Sequence, residues 1–161
     1  MKLTPNDYQI LANLQENGRI RHSELAKKLS ISPASCMRRV RLLEQAGYIK
    51  GYYAKLDGNT LGFEVQVFVM IGLHNQSEKD LYDFEEKCQI WPMVRECHML
   101  NGEIDFILKC HAPNLAMFQS FLTSELTPTP NVAQVRTSMV IRNNKSKSSL
   151  PLSLITSFSE S

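Results

Sequence analysis

Apolar and polar positions alternate along this chain with two different periods. Up to about residue 47 the period is helical. Ile10, Leu11 and Leu14 form one apolar stripe, entered through Thr4-Pro5-Asn6-Asp7 and ended at Asn17-Gly18. Ser23 opens a second short stripe, Leu25, Ala26 and Leu29, which Ser30-Ile31-Ser32 interrupts. Ser32 followed by Pro33 is an N-cap with a first-turn proline, and it predicts a third helix. Cys36, Val40, Leu43 and Gly47 then recur at spacings of four, three and four. At ~100° per residue they fall within about 40° of one direction, the expected buried side. Ala34, Arg38, Arg41 and Gln45 point the other way, with Ser35 at the flank.

Two short helices joined by a tight turn, the second bearing three arginines, form a helix-turn-helix pattern, here winged-helix-like. Ser/Arg/Gln opposite a core stripe suits the major groove of double-stranded DNA, where guanidinium groups bond guanine edges or phosphates. The candidate DNA contacts are Lys27, Lys28, Ser32, Ala34, Ser35, Arg38 and Arg41. Arg39, beside the core stripe, is expected to serve phosphate contact or helix support.

Beyond residue 47 the period shortens. Tyr48 to Asp57 is β-prone and is expected as an extended connector able to add a short strand, with Gly58 to Gly62 turning into the next domain. Val65, Val67, Val69, Ile71 and Leu73 alternate along a first strand. Leu81, Phe84 and Cys88 mark a helix; Met93 to Leu100 and Glu103 to Cys110 predict strands joined by a tight Asn101-Gly102 hairpin. Leu115, Phe118 and Leu122, joined by Phe121, mark a second helix ending before Pro128, and Val132 to Arg142 a last strand. The order is the ferredoxin-like β-α-β-β-α-β pattern. The fold class is therefore α+β: a helix-turn-helix domain over 1–49, a linker over 50–63, a ferredoxin-like domain over 64–142, and a tail over 143–161.

Helices cover one face of such a sheet. The other is apolar too, since Phe68 and Met70 oppose the valine face and Ile107 opposes Phe106 and Leu108. A second copy of the chain is the economical cover, and a homodimer would present paired recognition helices to a pseudo-palindromic operator.

Charge sharpens the division. The net charge is +2, yet residues 1–57 hold ten Lys/Arg against five Asp/Glu, and the remainder eight against eleven. No apolar run reaches the ~18 residues a membrane span needs, and no secretory signal opens the chain. Cys36, Cys88, Cys97 and Cys110 show no CxxC pair, so reduced thiols and a cytoplasmic location are expected. Cys97-His98 and Cys110-His111 could suggest a metal, but strand neighbours point to opposite faces, so no metal site and no cofactor are expected.

Several motifs in order resemble one family. LQENGRI (Leu14–Ile20), the run from Ser23 to Tyr52, NGEIDFILK (Asn101–Lys109), RTSMVI (Arg136–Ile141), Lys145 and Leu150–Leu152 are similar to the Lrp/AsnC feast/famine transcription regulators. The resemblance implies a DNA-binding amino-terminal domain and a ligand-sensing α/β-sandwich that forms dimers and commonly octamers, with an amino acid bound between subunits. On matching positions it implies an effector site of Leu100, Asn101, Gly102, Glu103, Asp105, Thr137 and Ser138. Asn101 stands where the family usually has threonine, and Ser30 where its turn frequently has glycine. Gly102 would expose backbone to a carboxylate and Asp105 would meet an ammonium group. The apolar side chains Met99, Leu100, Ile104 and Met139 nearby favour leucine or methionine. Two other readings of the same fold are a siroheme-decarboxylase-like enzyme, which has no need of Arg38 and Arg41 opposite a core stripe, and an architectural DNA binder without an effector.

Overall fold

The computed structural model describes residues 2–147 and 149–156. It contains two compact units, one from the first residues to Lys55 together with the chain from Lys145, the other Leu56–Asn144. Of the expected tail, residues 148 and 157–161 lie outside the described residues.

In the first unit, α1 (Pro5–Glu16), α2 (His22–Lys28) and α3 (Pro33–Gln45) enclose Ile10, Leu25, Ala26, Leu29, Cys36, Val40 and Leu43. Thr4 caps α1 as expected, with its backbone N–H and hydroxyl both donating to Asp7 Oδ2 at 2.7 Å. The second helix starts at His22 with Arg21 as its cap, one residue before the expected Ser23. It closes in a left-handed turn: Ser30 takes φ +53°, Ser30 N–H donates to the Lys27 carbonyl and Ile31 N–H to the Ala26 carbonyl. Serine adopts here what glycine adopts more cheaply.

Ser32 caps α3, its hydroxyl accepting the Ser35 N–H at 3.2 Å. At the other end Gly47, expected in the buried stripe, is instead an exposed residue at φ +76° beyond the helix. Tyr48 N–H donates to the Leu43 carbonyl and Gly47 N–H to that of Glu44, so the glycine ends the helix rather than extending its core face. The connector forms no strand over residues 48–57. Tyr52 instead donates its hydroxyl to Glu44 on α3 at 3.0 Å, and burial together with that carboxylate pushes its pKa up to about 12. The chain from Lys145 returns to this unit. Leu150 N–H donates to Gln15 Oε1 at 2.7 Å, Gln15 Nε2 donates to the Leu150 carbonyl at 3.2 Å, and Lys55 donates to Ser146. A short helix, α6 (Ser153–Thr156), follows.

The second unit carries β1 (Val65–Leu73), α4 (Glu78–Ile90), β2 (Val94–Met99), β3 (Phe106–Ala112), α5 (Leu115–Phe121) and β4 (Val132–Met139). Asp57, Gly58 and Asn59 fold the chain back on itself before β1, with Phe63 N–H donating to the Gly58 carbonyl at 2.8 Å. The sheet is antiparallel in the order β2-β3-β1-β4, the ferredoxin-like arrangement. Val67, Val69, Ile71, Phe106, Leu108 and Cys110 pack beneath the helices with Phe84, Trp91, Phe118 and Phe121. Trp91 sits edge-on to Phe84 and Phe121, holding the entry to β2. Phe68, Met70 and Ile107 lie on the opposite face, with Met70 paired to Ile107 across the ladder.

Four details differ from the sequence pattern. The inward face of α5 is Phe118 and Phe121, continued by a wide turn through Leu122–Leu126 that buries Leu126, while Leu115 stays exposed. Strand β2 shifts register between Val94 and Glu96, a bulge that leaves Arg95 without a ladder partner. Asn131 adopts φ +69° and ties the start of β4 to the end of β1, its side chain accepting from Asn75 N–H and donating to the Asn75 carbonyl. Finally, β3 begins at Phe106 rather than Glu103, so residues 100–105 form a six-residue loop in place of a tight hairpin.

Candidate nucleic-acid interface and effector loop

Helix α3 owes its amphipathic character to one choice at each step of the wheel. Cys36, Val40 and Leu43 are buried against α1 and α2, while Ala34, Ser35, Arg38, Arg41 and Gln45 are exposed. The capped amino-terminal turn thus presents Ser32, Ala34, Ser35 and Arg38 to solvent, with Arg41 one turn further on. On α2, Lys27 and Lys28 are exposed as well; Lys28 reaches Asn13 Oδ1 at 3.4 Å.

Arg39 behaves differently from its neighbours. Its Nε and Nη2 donate to the two oxygens of Asp7, and Nη2 also reaches the Thr4 hydroxyl at 3.3 Å. Of the two roles expected for it, this geometry serves helix support. Asp7 is fully buried. Burial alone would raise its pKa; the Arg39 bond, together with the backbone and hydroxyl of Thr4, outweighs that and holds the carboxyl below its ordinary value. Asp7 lies in the helix-start run Thr4-Pro5-Asn6-Asp7 and Arg39 flanks the core stripe of α3, and no local pattern links positions 32 residues apart.

In the second unit the loop of residues 100–105 closes with Leu100 N–H donating to the Asp105 carbonyl at 2.8 Å. Asp105 N–H donates to the Ile71 carbonyl, and Asp105 Oδ2 accepts the Leu73 N–H at 2.7 Å. The β2–β3 hairpin forms, with Asp105 keeping main-chain bonds to both neighbouring strands, while its carboxylate caps the end of β1 and the chain reverses through a wider loop than the expected tight turn. A second oxygen and spare lone pairs remain on Asp105. Leu100, Asn101, Gly102 and Glu103 are exposed around it.

Thr137 and Ser138 lie across β1 from this loop, opposite Val69 and Phe68 respectively. Directly paired residues share a sheet face. Thr137 therefore sits on the helix-covered side and Ser138 on the Phe68–Met70 side, so their two side chains cannot face one ligand from one protomer. Two strand spacings, ~9.5 Å, separate β4 from β3. A groove of about 670 Å³ lies elsewhere in this unit, between α4 and residues 129–131, and none of the effector-loop residues lines it. Among the described residues no three His, Cys, Asp or Glu side chains are grouped to hold a metal. His111 pairs with Gln66 on one face of the sheet and Cys110 with Val67 on the other.

A winged helix-turn-helix DNA-binding family model matches residues 3–50, and the Lrp/AsnC ligand binding domain model matches residues 66–150. The chain is 48% identical over 145 residues to a leucine-responsive regulatory protein of Rhizobium meliloti, covering 90% of this chain and 93% of that one. It is 36% identical to a Bkd operon transcriptional regulator of Pseudomonas aeruginosa, covering 91% and 95%. Among solved structures, a transcriptional regulator from Neisseria meningitidis in complex with L-methionine superposes with a TM-score of 0.90 at 31% identity, covering 96% and 99%. AsnC of Escherichia coli superposes with a TM-score of 0.84 at 26% identity, covering 92% and 98%.

Proposed function

The chain belongs to the Lrp/AsnC family of transcriptional regulators, and on that premise we propose that it reads double-stranded DNA through α3 in response to a free amino acid. The observation that carries this reading is the outward face of α3, where Arg38 and Arg41 stand opposite the buried Cys36, Val40 and Leu43. Ala34, Ser35, Arg38 and Arg41 meet base edges or adjacent phosphates; Ser32, Lys27 and Lys28 meet phosphates. Arg39 supports α3 from behind through Asp7. An enzyme built on this fold would have no use for that arginine face.

Phe68, Met70 and Ile107, on a sheet face they share with Lys109, Arg136 and Ser138, are covered by a second copy, which makes the functional unit at least a dimer and its operator a pseudo-palindrome. Higher assembly to octamers follows the family. The effector is an apolar amino acid, leucine or methionine, held at the loop of Leu100, Asn101, Gly102, Glu103 and Asp105. Thr137 and Ser138 point to opposite sheet faces, which favours a site completed between subunits. In support, the Neisseria relative is a complex with L-methionine and the Rhizobium relative is named for leucine. Among the described residues no helix is long and apolar enough to cross a membrane, and the protein works in the cytoplasm where DNA and free amino acids meet.

Selection of bound duplexes from a random pool, with and without leucine or methionine, tests the reading. Twofold-related half-sites with an amino-acid-dependent affinity support it; a pool that stays random overturns it.

A further inference from the structure

Met37 is the one large apolar side chain of α1, α2 and α3 that is exposed among the described residues, at 40% of its surface. It belongs to neither hydrophobic cluster. A single exposed methionine is ordinary on a protein surface; its position is not. It is the fifth residue of α3, one turn after Pro33 and one before Arg41. At ~100° per residue it lies about 60° from Ala34 and 40° from Arg41, on the opposite flank from Ser35. Side chains on a helix lean toward its amino terminus, so the Met37 thioether leans toward Pro33 and Ala34, the end of a recognition helix that meets base edges. Arg39, two positions on, is engaged with α1 and does not compete for this surface.

The apolar feature that a base pair presents in the major groove is the thymine C5-methyl group. Arginine and serine satisfy acceptors and donors but gain nothing from that methyl. A long, unbranched, polarisable side chain beside two arginines is suited to it. We propose that Met37 is a specificity-determining residue that packs on a thymine methyl group within each operator half-site. The inference rests on α3 being the recognition helix and adds which chemical group one of its side chains reads.

The test uses the full chain and a selected operator, with each thymine replaced in turn by deoxyuridine, which removes only the methyl group. The wild-type chain is expected to lose roughly fourfold in affinity at one thymine per half-site, the worth of one buried methyl. Met37→Ala should lose the same amount on the thymine duplex and be indifferent to deoxyuridine at that position, while Met37→Leu retains the discrimination. Unchanged thermal melting of both variants excludes a folding effect. Arg38→Ala on the same duplexes should bind at least roughly fivefold more weakly, from the lower bound of a bidentate base contact, yet keep the deoxyuridine penalty. Equal deoxyuridine penalties in the wild type and Met37→Ala, or no penalty at any thymine, overturn the role of Met37 while leaving the arginine reading intact. An Arg38→Ala chain that binds normally overturns the recognition helix itself.

Discussion

The guanidinium of Arg39 on α3 grips the carboxylate of Asp7 on α1 through both Nε and Nη2, and Asp7 is wholly out of solvent. One charge pair thus joins the cap of α1 to the back of α3. Removing one partner of a buried pair leaves the other charged and unsatisfied, which costs about 3–5 kcal/mol. The Arg39 side chain keeps a quarter of its surface exposed, so Arg39→Ala belongs at the lower end, about 3 kcal/mol. Denaturant unfolding of the full chain, followed by a helical signal, measures it.

The same pair sets an acid limit. The folded-state pKa of Asp7 lies below its ordinary 3.8, so the unfolded chain binds the proton more tightly. Its contribution is complete above the unfolded value and is lost as pH falls through the folded one. Stability of the first unit should therefore decline below about pH 4, and an Asp7→Asn chain, less stable at neutral pH, should lack that component of the decline. Melting temperatures between pH 2.5 and 6 distinguish the two chains.

Exposed lysines and exposed arginines on the two helices should fail in different ways. Lys27→Ala and Lys28→Ala should each weaken all duplexes alike and make the salt dependence shallower by about one unit in log–log slope. Arg38→Ala should cost about 1–3 kcal/mol on the selected operator and far less on random DNA. Titrations at several salt concentrations check both, and a uniform loss on every duplex for Arg38→Ala would reassign that residue to a phosphate.

The Phe68, Met70 and Ile107 face predicts self-association. Met70 pairs directly with Ile107 on one side and Arg136 on the other, so a charge at position 70 would be enclosed in any interface that covers the face. Met70→Asp should shift the mass seen by light scattering at micromolar concentration from dimer or larger to monomer, with the isolated sheet intact by circular dichroism. A wild-type chain that is itself monomeric under those conditions would remove the dimer altogether.

What was legible in the sequence was whatever short-range chemistry enforces. Ser32-Pro33 announces the start of α3 because capping and a fixed proline φ act within four residues, and alternating Val67, Val69 and Ile71 reveal a covered strand. The outward position of Arg38 and Arg41 follows from the same wheel. Contacts between distant positions were not legible. Asp7 looked complete as a helix cap, so its pairing with Arg39 had no signature. Asn101-Gly102 carries the local chemistry of a tight turn, yet the chain reverses in a wider loop whose Asp105 carboxylate is tied to Leu73, a residue 32 positions away with no local signature. Gly47 differs for another reason: a glycine at helical spacing fits the apolar stripe, but its left-handed φ ends the helix. Met37 has no sequence signature of exposure, because an apolar residue on the flank of a helix reads like one of its core stripe.

On the proposed reading Asp105 serves twice, and its two uses can be separated by mutation. One carboxylate oxygen accepts the Leu73 N–H; the effector's ammonium group would use the remaining lone pairs and the negative charge. Asp105→Ala removes both, so loss of binding in that variant would mix a loosened loop with a missing partner. Asp105→Asn keeps a carbonyl oxygen for Leu73 and discards the charge. It should melt within about 1 kcal/mol of the wild type, the net worth of one hydrogen bond, and bind its effector at least roughly tenfold more weakly, from a lost charge-assisted bond. Calorimetry with leucine, methionine, lysine and glutamate then reads selectivity on the wild-type chain. Exposed Met99 and Leu100 border the loop, whereas Met139 pairs with Val67, four residues along β1 from Ile71 where the loop meets the sheet; a pocket closed over Met99 and Leu100 by a second subunit would favour leucine over alanine by about 1.5–3 kcal/mol. Tighter binding of lysine or glutamate would refute an apolar pocket, and an Asp105→Asn chain with undiminished affinity would move the ammonium contact to another residue.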